Sequence, residues 1–396
     1  MISQNPVFVP GPTNIPEVIR KACDMPTVDH RANIFTEILH PAIAGMRKVL
    51  KTKNGHVFVF PASGSGGWEA AIANTLSPGD TVLAASGGFF AVRWIELCRL
   101  HGLNVKTIDS PWSNHIPLDA ISRELESDRK GAIKAVLVTH SETSTGVLND
   151  IGAVRSVIDG ASHEAMLFVD GVSSIASMDF RMDDWRVDVA VCGSQKGLML
   201  PAGLSIVGVS ERAFDLAPSA GMPRFYFDFS AMHRSYGAGS YPYTPSAALI
   251  NGLLASTHFL LDEGLENVFA RHQRIAEGIR RAVEAWGLEI FAEDPEHRSN
   301  AVTGITVPNG CDSAELIRHA ATKYEVAFGI GLGEVAGKIF RIGHLGSLTD
   351  VMAISGIAAA EMAMADLGYP VELGSGVAAA QEFYRGESRA EQKLAA

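Results

Sequence analysis

Two side chains of opposite chemistry stand at the ends of two apolar runs, 26 residues apart. Met166-Leu167-Phe168-Val169 reads as a buried strand and ends in Asp170. Val187 to Cys192 reads as another; it runs through Gly193-Ser194-Gln195 into Lys196, and Leu198 to Leu200 is apolar again. A lysine between two apolar runs is poorly placed for a solvated charge. The interval suits a loop and a neighbouring strand, so an acid and an amine can reach one rim of a sheet. An aldehyde cofactor such as pyridoxal phosphate forms a Schiff base with a lysine amine. A carboxylate opposite keeps its ring nitrogen protonated, so that the ring accepts electrons from a carbanion. For an isolated pair, a solvated lysine and a helix-capping aspartate are the commoner outcome, and the surrounding elements must decide.

Those elements repeat one pattern. Strand Val57–Phe60 is followed by Ala62-Ser63-Gly64-Ser65-Gly66-Gly67 and a helix from Trp68 to Leu76. Strand, small-residue loop, helix is the geometry that receives phosphate on free N–H groups at a helix start. A dinucleotide G-x-G-x-x-G fails, because position 69 is Glu69, and no Gly-Lys-Ser/Thr follows for a Walker loop. Strand Thr81–Ala85 runs into Ser86-Gly87-Gly88-Phe89-Phe90 and a helix from Ala91 to His101; aromatics there could stack on a flat ring or simply fill a core. Strand Ala135–His140 leads to a hydroxyl-rich loop, Ser141 to Gly146, and a helix from Ile151. With Leu204–Val209, strands and helices alternate over residues 57–210. This predicts a mostly parallel sheet covered on both faces, with ligands at the carboxyl ends of its strands. All of the loops named follow strands, so they gather with Asp170 and Lys196 on one rim.

The rest frames that sheet. Val7 to Thr13 is an extended arm punctuated by proline, the kind that lies across another part of the chain or a partner subunit. Residues 211–250 are irregular and aromatic. Helices from Leu249 to Trp286 bridge to a small α+β part with strands Ala301–Val307 and Lys338–Ile342. The expected organisation is an N-terminal arm (1–20), a large cofactor-binding domain (21–260) and a small C-terminal domain (261–396). Arg341 sits amid apolar neighbours in a strand; its planar fork suits a carboxylate, either of a substrate or in an internal salt bridge.

Composition narrows the classes. The chain has 396 residues, 47% hydrophobic and 19% charged, with net charge −11. That balance argues against nonspecific nucleic-acid binding and against anionic membranes. Cys23, Cys98, Cys192 and Cys311 are far apart and form neither a zinc motif nor a disulfide framework, which fits a reducing cytoplasm. The start, Met1 to Pro6, lacks the pattern of a signal peptide. The charge-free run Val351–Ala360 is too short to span a bilayer. The tail after Tyr384 is polar and expected to fray.

Taken together, Gly193-Ser194-Gln195-Lys196, Val169-Asp170-Gly171-Val172-Ser173-Ser174, Ser63-Gly64-Ser65-Gly66, His140 to Gly146 and Phe340-Arg341-Ile342-Gly343 resemble the class V aminotransferases of PLP fold type I. Val9-Pro10-Gly11-Pro12-Thr13-Asn14-Ile15-Pro16 and Gly374-Ser375-Gly376-Val377 look like the bacterial serine–glyoxylate and aspartate–glyoxylate enzymes within that class. The resemblance implies that Lys196 holds pyridoxal 5'-phosphate as an internal aldimine and shuttles a proton, and that Asp170 pairs with the pyridinium nitrogen. Phe90 would stack on the ring, with Val172 also contacting the cofactor. Thr143 would bond its phenolic oxygen. Ser63, Gly64, Ser65 and Gln195 would take the phosphate, with Tyr241 and Thr244 reaching in from a second subunit of a homodimer or dimer of dimers. Arg341 would bind the substrate α-carboxylate. The implied reaction moves the amino group of serine or aspartate, or of alanine, to glyoxylate with ping-pong kinetics. The rival readings are a cysteine desulfurase of the same class, a nucleotide-binding dehydrogenase and a non-catalytic binding module.

Overall fold

A computed structural model describes residues 5–386. Residues 1–4, which belong to the stretch read against a signal peptide, lie outside them. The end expected to fray after Tyr384 is helical as far as Gly386, and 387–396 lie outside the described residues. In chain order the elements are α1 (Glu17–Cys23), α2 (Asn33–Val49), β1 (His56–Pro61), α3 (Gly64–Thr75), β2 (Thr81–Ala85), α4 (Phe89–Leu100), β3 (Asn104–Ile108), α5 (Leu118–Ser127) and β4 (Ile133–Thr139). There follow a short hairpin, β5 (Ser141–Glu142) and β6 (Val147–Leu148), then α6 (Ile151–Gly160), β7 (Met166–Asp170), β8 (Val189–Gly193), β9 (Leu204–Val209), α7 (Glu211–Leu216), α8 (Phe229–Gly237), α9 (Ala247–Glu263) and α10 (Leu265–Ala285). The chain ends in β10 (Val302–Thr306), α11 (Ser313–Tyr324), β11 (Gly329–Ile330), β12 (Ile339–Gly343), α12 (Asp350–Asp366) and α13 (Ser375–Gly386).

The main sheet has seven strands in the order β1-β9-β8-β7-β4-β2-β3. β9 pairs antiparallel with both of its neighbours, while the other pairings are parallel. Six strands therefore point one way and only β9 is reversed. The reason is local: β8 returns into β9 through Ser194–Gly203 without a crossover helix, and a short return can only join antiparallel strands. The consequence is functional, since β1, β2, β4, β7 and β8 all end at one rim, as the alternating pattern predicts. The strands β7, β8 and β9 are buried along their whole length, matching their unbroken apolar runs.

Several elements were not legible, and residues 211–250, expected to be irregular, hold α7 and α8, each started by a side-chain cap, Ser210 accepting from Ala213 N and Asp228 from Ala231 N. β3 carries Asn104, Lys106 and Thr107, all exposed, on an edge. α5 is short, and β11 has two residues. α3 also starts four residues earlier than its apolar pattern implies, at Gly64 rather than Trp68. Gly67 lies so close to the sheet that a Cβ there would sit 2.3 Å from Ser205 Oγ and 2.6 Å from Val191 Cγ1. Close packing on the sheet, not helix propensity, makes this glycine turn helical.

One apolar core runs from Ile19 to Val268 around the main sheet. A second joins Ile275 to Tyr384 around the three-stranded sheet β10-β12-β11. The arm belongs to the second: Phe8 is buried and stacks on Phe328, donates its N–H to Ala327 O at 2.9 Å and accepts from Gly343 N at 2.6 Å. From this anchor the arm passes over the rim of the main sheet. Among the described residues, no helix is long and apolar enough to cross a membrane.

Candidate active site

Asp170 is the last residue of β7 and Lys196 follows the end of β8 by three positions; the two strands are parallel neighbours, so both side chains reach the same rim. Both are buried, at 4% and 8% exposure. Asp170 Oδ1 accepts the Val172 N–H at 2.9 Å. Burial nevertheless pushes its carboxyl up to about 7, aided by the Glu142 charge and opposed by the Val172 bond and by Lys196. Burial pushes the Lys196 amine down to about 7, and the nearby Arg341 charge adds to this, while Asp170 and Glu142 oppose it. The pair is thus an amine available as a nucleophile near neutral pH and a carboxyl that a cation opposite it would ionise. Perturbed acid and base at one rim is the signature of a reacting site rather than of a solvated ion pair.

The arm closes over the lysine. Lys196 Nζ donates to Pro10 O, Thr13 N donates to Gln195 O at 3.2 Å, and Thr13 Oγ1 donates to Lys196 O at 3.2 Å. Gly11 has φ +110°, and a Cβ on it would fall 2.6 Å from Lys196 Cδ, so this position needs glycine both for its backbone and for the close approach. The extended arm was legible in the sequence; that its destination is the lysine was not.

The small-residue loop forms a cradle beside them. Ser63 precedes α3 in an extended conformation and makes no side-chain capping bond, and Ser63 and Ser65 are exposed at the helix start. Val172 roofs Gly64, where a Cβ would lie 2.6 Å from Val172 Cγ2. Gln195 folds back toward Val172 over Gly193, and its Oε1 is buried with no hydrogen-bond partner. A helix N-terminus and two hydroxyls are donors, and Gly64 leaves space, suited to a phosphate; Gln195 would serve it through its amide NH2, since its buried Oε1 only accepts. These residues fit pyridoxal phosphate: phosphate cradle, amine and carboxyl stand on one rim.

Phe90 sits in the first turn of α4, partly exposed, with its ring edge-on to Phe89. Thr143 is buried; its hydroxyl pairs with Ser173 Oγ at 2.5 Å and its carbonyl accepts from Arg341 Nη1 at 2.6 Å. Arg341 is 5% exposed in the middle of β12, and its Nε donates to Ile330 O at 2.8 Å. Both of these bonds go to backbone carbonyls, and the internal salt bridge considered as the alternative is not found among the described residues. Burial draws its guanidinium down to about 10, against the pull of Glu142.

Glu142, inside the hydroxyl-rich segment after β4, stands among these groups as well. It is 2% exposed and accepts from Ser144 Oγ at 2.6 Å, Ser144 N at 3.0 Å, Ala91 N at 3.1 Å and Phe90 N at 3.4 Å. A carboxylate from the β5–β6 hairpin therefore caps α4, and holds Phe90 at the rim. Only its proximity to a strand end could have flagged it, since its helix partners lie about fifty residues upstream. Glu142→Ala should leave three backbone N–H groups, of Phe90, Ala91 and Ser144, and the Ser144 hydroxyl without this acceptor. The expected loss is about 3 kcal/mol, at typical costs for a charged acceptor. A urea midpoint unchanged from wild type would show that water replaces the carboxylate.

Tyr241, which the resemblance places at a second subunit's phosphate site, is 7% exposed in the single chain, with its hydroxyl donating to Val59 O and accepting from Tyr236 Oη at 3.2 Å. Tyr236 Oη accepts from Val59 N at 3.1 Å. β1 is an edge strand whose outer N–H and C=O have no strand partner, and the two tyrosines satisfy them. Thr244, by contrast, is exposed.

A buried amine and carboxyl beside a phosphate cradle, on the rim of a sheet with one reversed strand, define a cofactor-dependent group-transfer site. Residues 19–335 match the family described as aminotransferase class-V. The chain belongs to the class V aminotransferases. It is 59% identical over 396 residues, 100% of both chains, to the L-aspartate–glyoxylate aminotransferase of Paracoccus denitrificans (strain Pd 1222). It is 46% identical to the serine–glyoxylate aminotransferase of Hyphomicrobium methylovorum, over 96% of this chain and 94% of that one. Among solved structures, ureidoglycine–glyoxylate aminotransferase from Bacillus subtilis superposes with a TM-score of 0.91 at 25% identity, covering 97% and 99% of the two chains. The expected fold, a mostly parallel sheet of the class V kind, is therefore the one found.

Proposed function

We propose that this chain transfers the amino group of a small L-amino acid, aspartate or serine, to glyoxylate, giving glycine and a 2-oxo acid, with pyridoxal phosphate held on Lys196. The observation that carries the reading is the buried Lys196 amine, held near neutral pH on the same rim as buried Asp170, the cradle of Ser63, Gly64, Ser65 and Gln195, and Arg341 without a carboxylate partner. Bound there, the cofactor supplies an electron sink for a carbanion at the substrate Cα. The chain's own groups do the rest. Asp170 lies where its charge would stabilise a protonated ring nitrogen. Val172 and Phe90 flank the place of the ring, and Thr143 offers a hydroxyl to it. Lys196, half neutral near pH 7, accepts a proton from the substrate Cα and returns it, the role its shifted pKa suits. Arg341, oriented by Ile330 O and Thr143 O, offers its remaining N–H face to an α-carboxylate.

The identity to an aspartate–glyoxylate enzyme over the whole chain supports aspartate first and serine second as donor; alanine is the further alternative. The test is a panel of aspartate, serine and alanine, each with glyoxylate, followed through the 2-oxo acid released. Aspartate or serine should give the highest kcat/KM, and activity with none of the three would overturn the assignment. A cysteine desulfurase reading is disfavoured, because Cys192 and Cys98 are buried and their thiols pushed up to about 12.

Arg341 should serve donor and acceptor alike, because both carry an α-carboxylate and use the site in turn. Arg341→Lys keeps the charge and loses the planar fork. The expected loss in kcat/KM is about 2–4 kcal/mol for each substrate, with cofactor content retained. A loss confined to one substrate would mean that Arg341 reads a side chain instead.

The exposed Thr244 segment further supports a second copy completing the phosphate site, so the active unit is proposed as a homodimer or dimer of dimers in a cytoplasmic setting, with a large unit (21–260) and a small one (261–396) in each copy. An active monomer in sedimentation at assay concentration would contradict this assembly.

A further inference from the structure

Outside that site, two histidines and an aspartate converge from distant parts of the sequence. His115 stands in the loop before α5; Asp294 and His297 bracket the 3-10 turn Pro295–His297 ahead of β10. The two imidazole rings lie face to face, 3.9 Å between centroids and 19° between planes. Both Nδ1 atoms turn toward one oxygen: Asp294 Oδ2 is 2.8 Å from His297 and 3.9 Å from His115. One ligand atom from each residue lies within 4.8 Å of the others. Asp294 Oδ1 is already used, accepting from Glu296 N at 3.0 Å. His115 Nδ1 is sealed from solvent and has no hydrogen-bond partner, a condition that needs an explanation in a folded protein.

The backbone around these groups is fixed independently of them. Glu293 N donates to Ser113 O at 3.0 Å, Ser113 Oγ donates to Glu293 Oε1 at 2.8 Å, and His297 N donates to Asp294 O at 3.1 Å. The three side chains are therefore brought together by the fold. They remain a quarter to a third exposed, which leaves a path from solvent.

We propose that His115, Asp294 and His297 bind one divalent transition-metal ion of the Zn(II)/Co(II) class, which fastens the loop before α5 to the turn ahead of β10. Two imidazoles and a carboxylate are a borderline donor set that suits such ions, whereas Ca(II) and Mg(II) prefer all-oxygen cages. A tetrahedral ion with bonds of about 2 Å holds neighbouring ligands about 3.3 Å apart. The observed 2.8 and 3.9 Å separations bracket that value; the 2.8 Å contact is a His297–Asp294 hydrogen bond whose place the ion would take, and because the rings are stacked the His115 ring must swing out of the stack to bring its Nδ1 lone pair onto the ion, with water in the open position. The same loop carries Trp112, whose ring lies against Gly333 close to Phe89. The ion would thus hold a segment that borders the active-site rim without joining the chemistry.

The test uses the holoenzyme, freed of metal by chelator and titrated with Co(II) and with Zn(II). One ion per chain is expected, with a visible Co(II) absorption and a Tm that rises with metal concentration. A lost ligand should cost at least as much as a lost outer partner of one, so His115→Ala and His297→Ala should each weaken binding by about 100-fold or more. Cys23→Ser and Cys311→Ser should leave it intact, and kcat should stay near wild type in all four. His297→Gln, closer in shape, guards against a folding defect: it should abolish the metal-dependent rise in Tm. No saturable binding up to millimolar metal, or binding unchanged in the histidine variants, would overturn the proposal.

Discussion

Lys196→Ala is expected to fold, to retain the cradle residues, and to lose transamination by roughly 10⁴-fold, the upper end of what a positioned proton carrier supplies. That corresponds to about 5.5 kcal/mol of barrier. The size follows from the surroundings. The amine is buried, is held near pH 7 by burial and by the Arg341 charge, and among the described residues no second lysine lies at the rim to replace it. Removing a buried amine also removes a desolvation cost, so the loss of activity should come without loss of stability. An added small amine of suitable pKa should recover part of the rate in the vacated space. A variant that still turns over at more than a tenth of the wild-type rate would show that another group carries the proton.

Asp170→Asn should be the next most damaging change. The side chain keeps its size and can still accept the Val172 N–H that closes the turn after β7. Only the charge is lost, and with it the support of a protonated ring nitrogen, so the barrier should rise by several kcal/mol, each tenfold step being about 1.4 kcal/mol. This should fall on kcat, while the fold is unharmed: the wild-type carboxyl is raised to about 7 by burial, so its ionised form costs stability at higher pH, which Asn does not. The sign is definite. A raised carboxyl contributes stability below its unfolded value near 3.8 and loses it as pH climbs through about 7. Near pH 8, then, the cofactor-free Asp170→Asn protein should unfold at the temperature of the cofactor-free wild type or above it. Wild-type turnover in this variant would reduce Asp170 to a turn-closing residue.

The pair at the centre was legible because Asp170 ends one apolar strand and Lys196 follows the end of another by three residues, and a strand end is one place where sequence alone fixes position in space. The same held for Ser63, Gly64 and Ser65 before α3, and for the strand that carries Arg341. What escaped was set by contacts between distant segments. Glu142 looks like one polar residue in a polar loop until α4 is laid across it. Gly11 looks like part of a flexible arm until Lys196 is found beneath it. The hydrogen bond from the Tyr241 hydroxyl to the open edge of β1 likewise joins segments far apart in sequence. β3 was missed because an edge strand can hold Asn104, Lys106 and Thr107 without an apolar run.

The central claim, that Lys196 carries the cofactor, is tested most directly by reducing the purified enzyme with borohydride and mapping the modified peptide by mass spectrometry. The account predicts loss of the yellow absorbance and a pyridoxyl group on Lys196 alone. A stable adduct on any other lysine, or none at all in a protein that turns over aspartate or serine with glyoxylate, would contradict it.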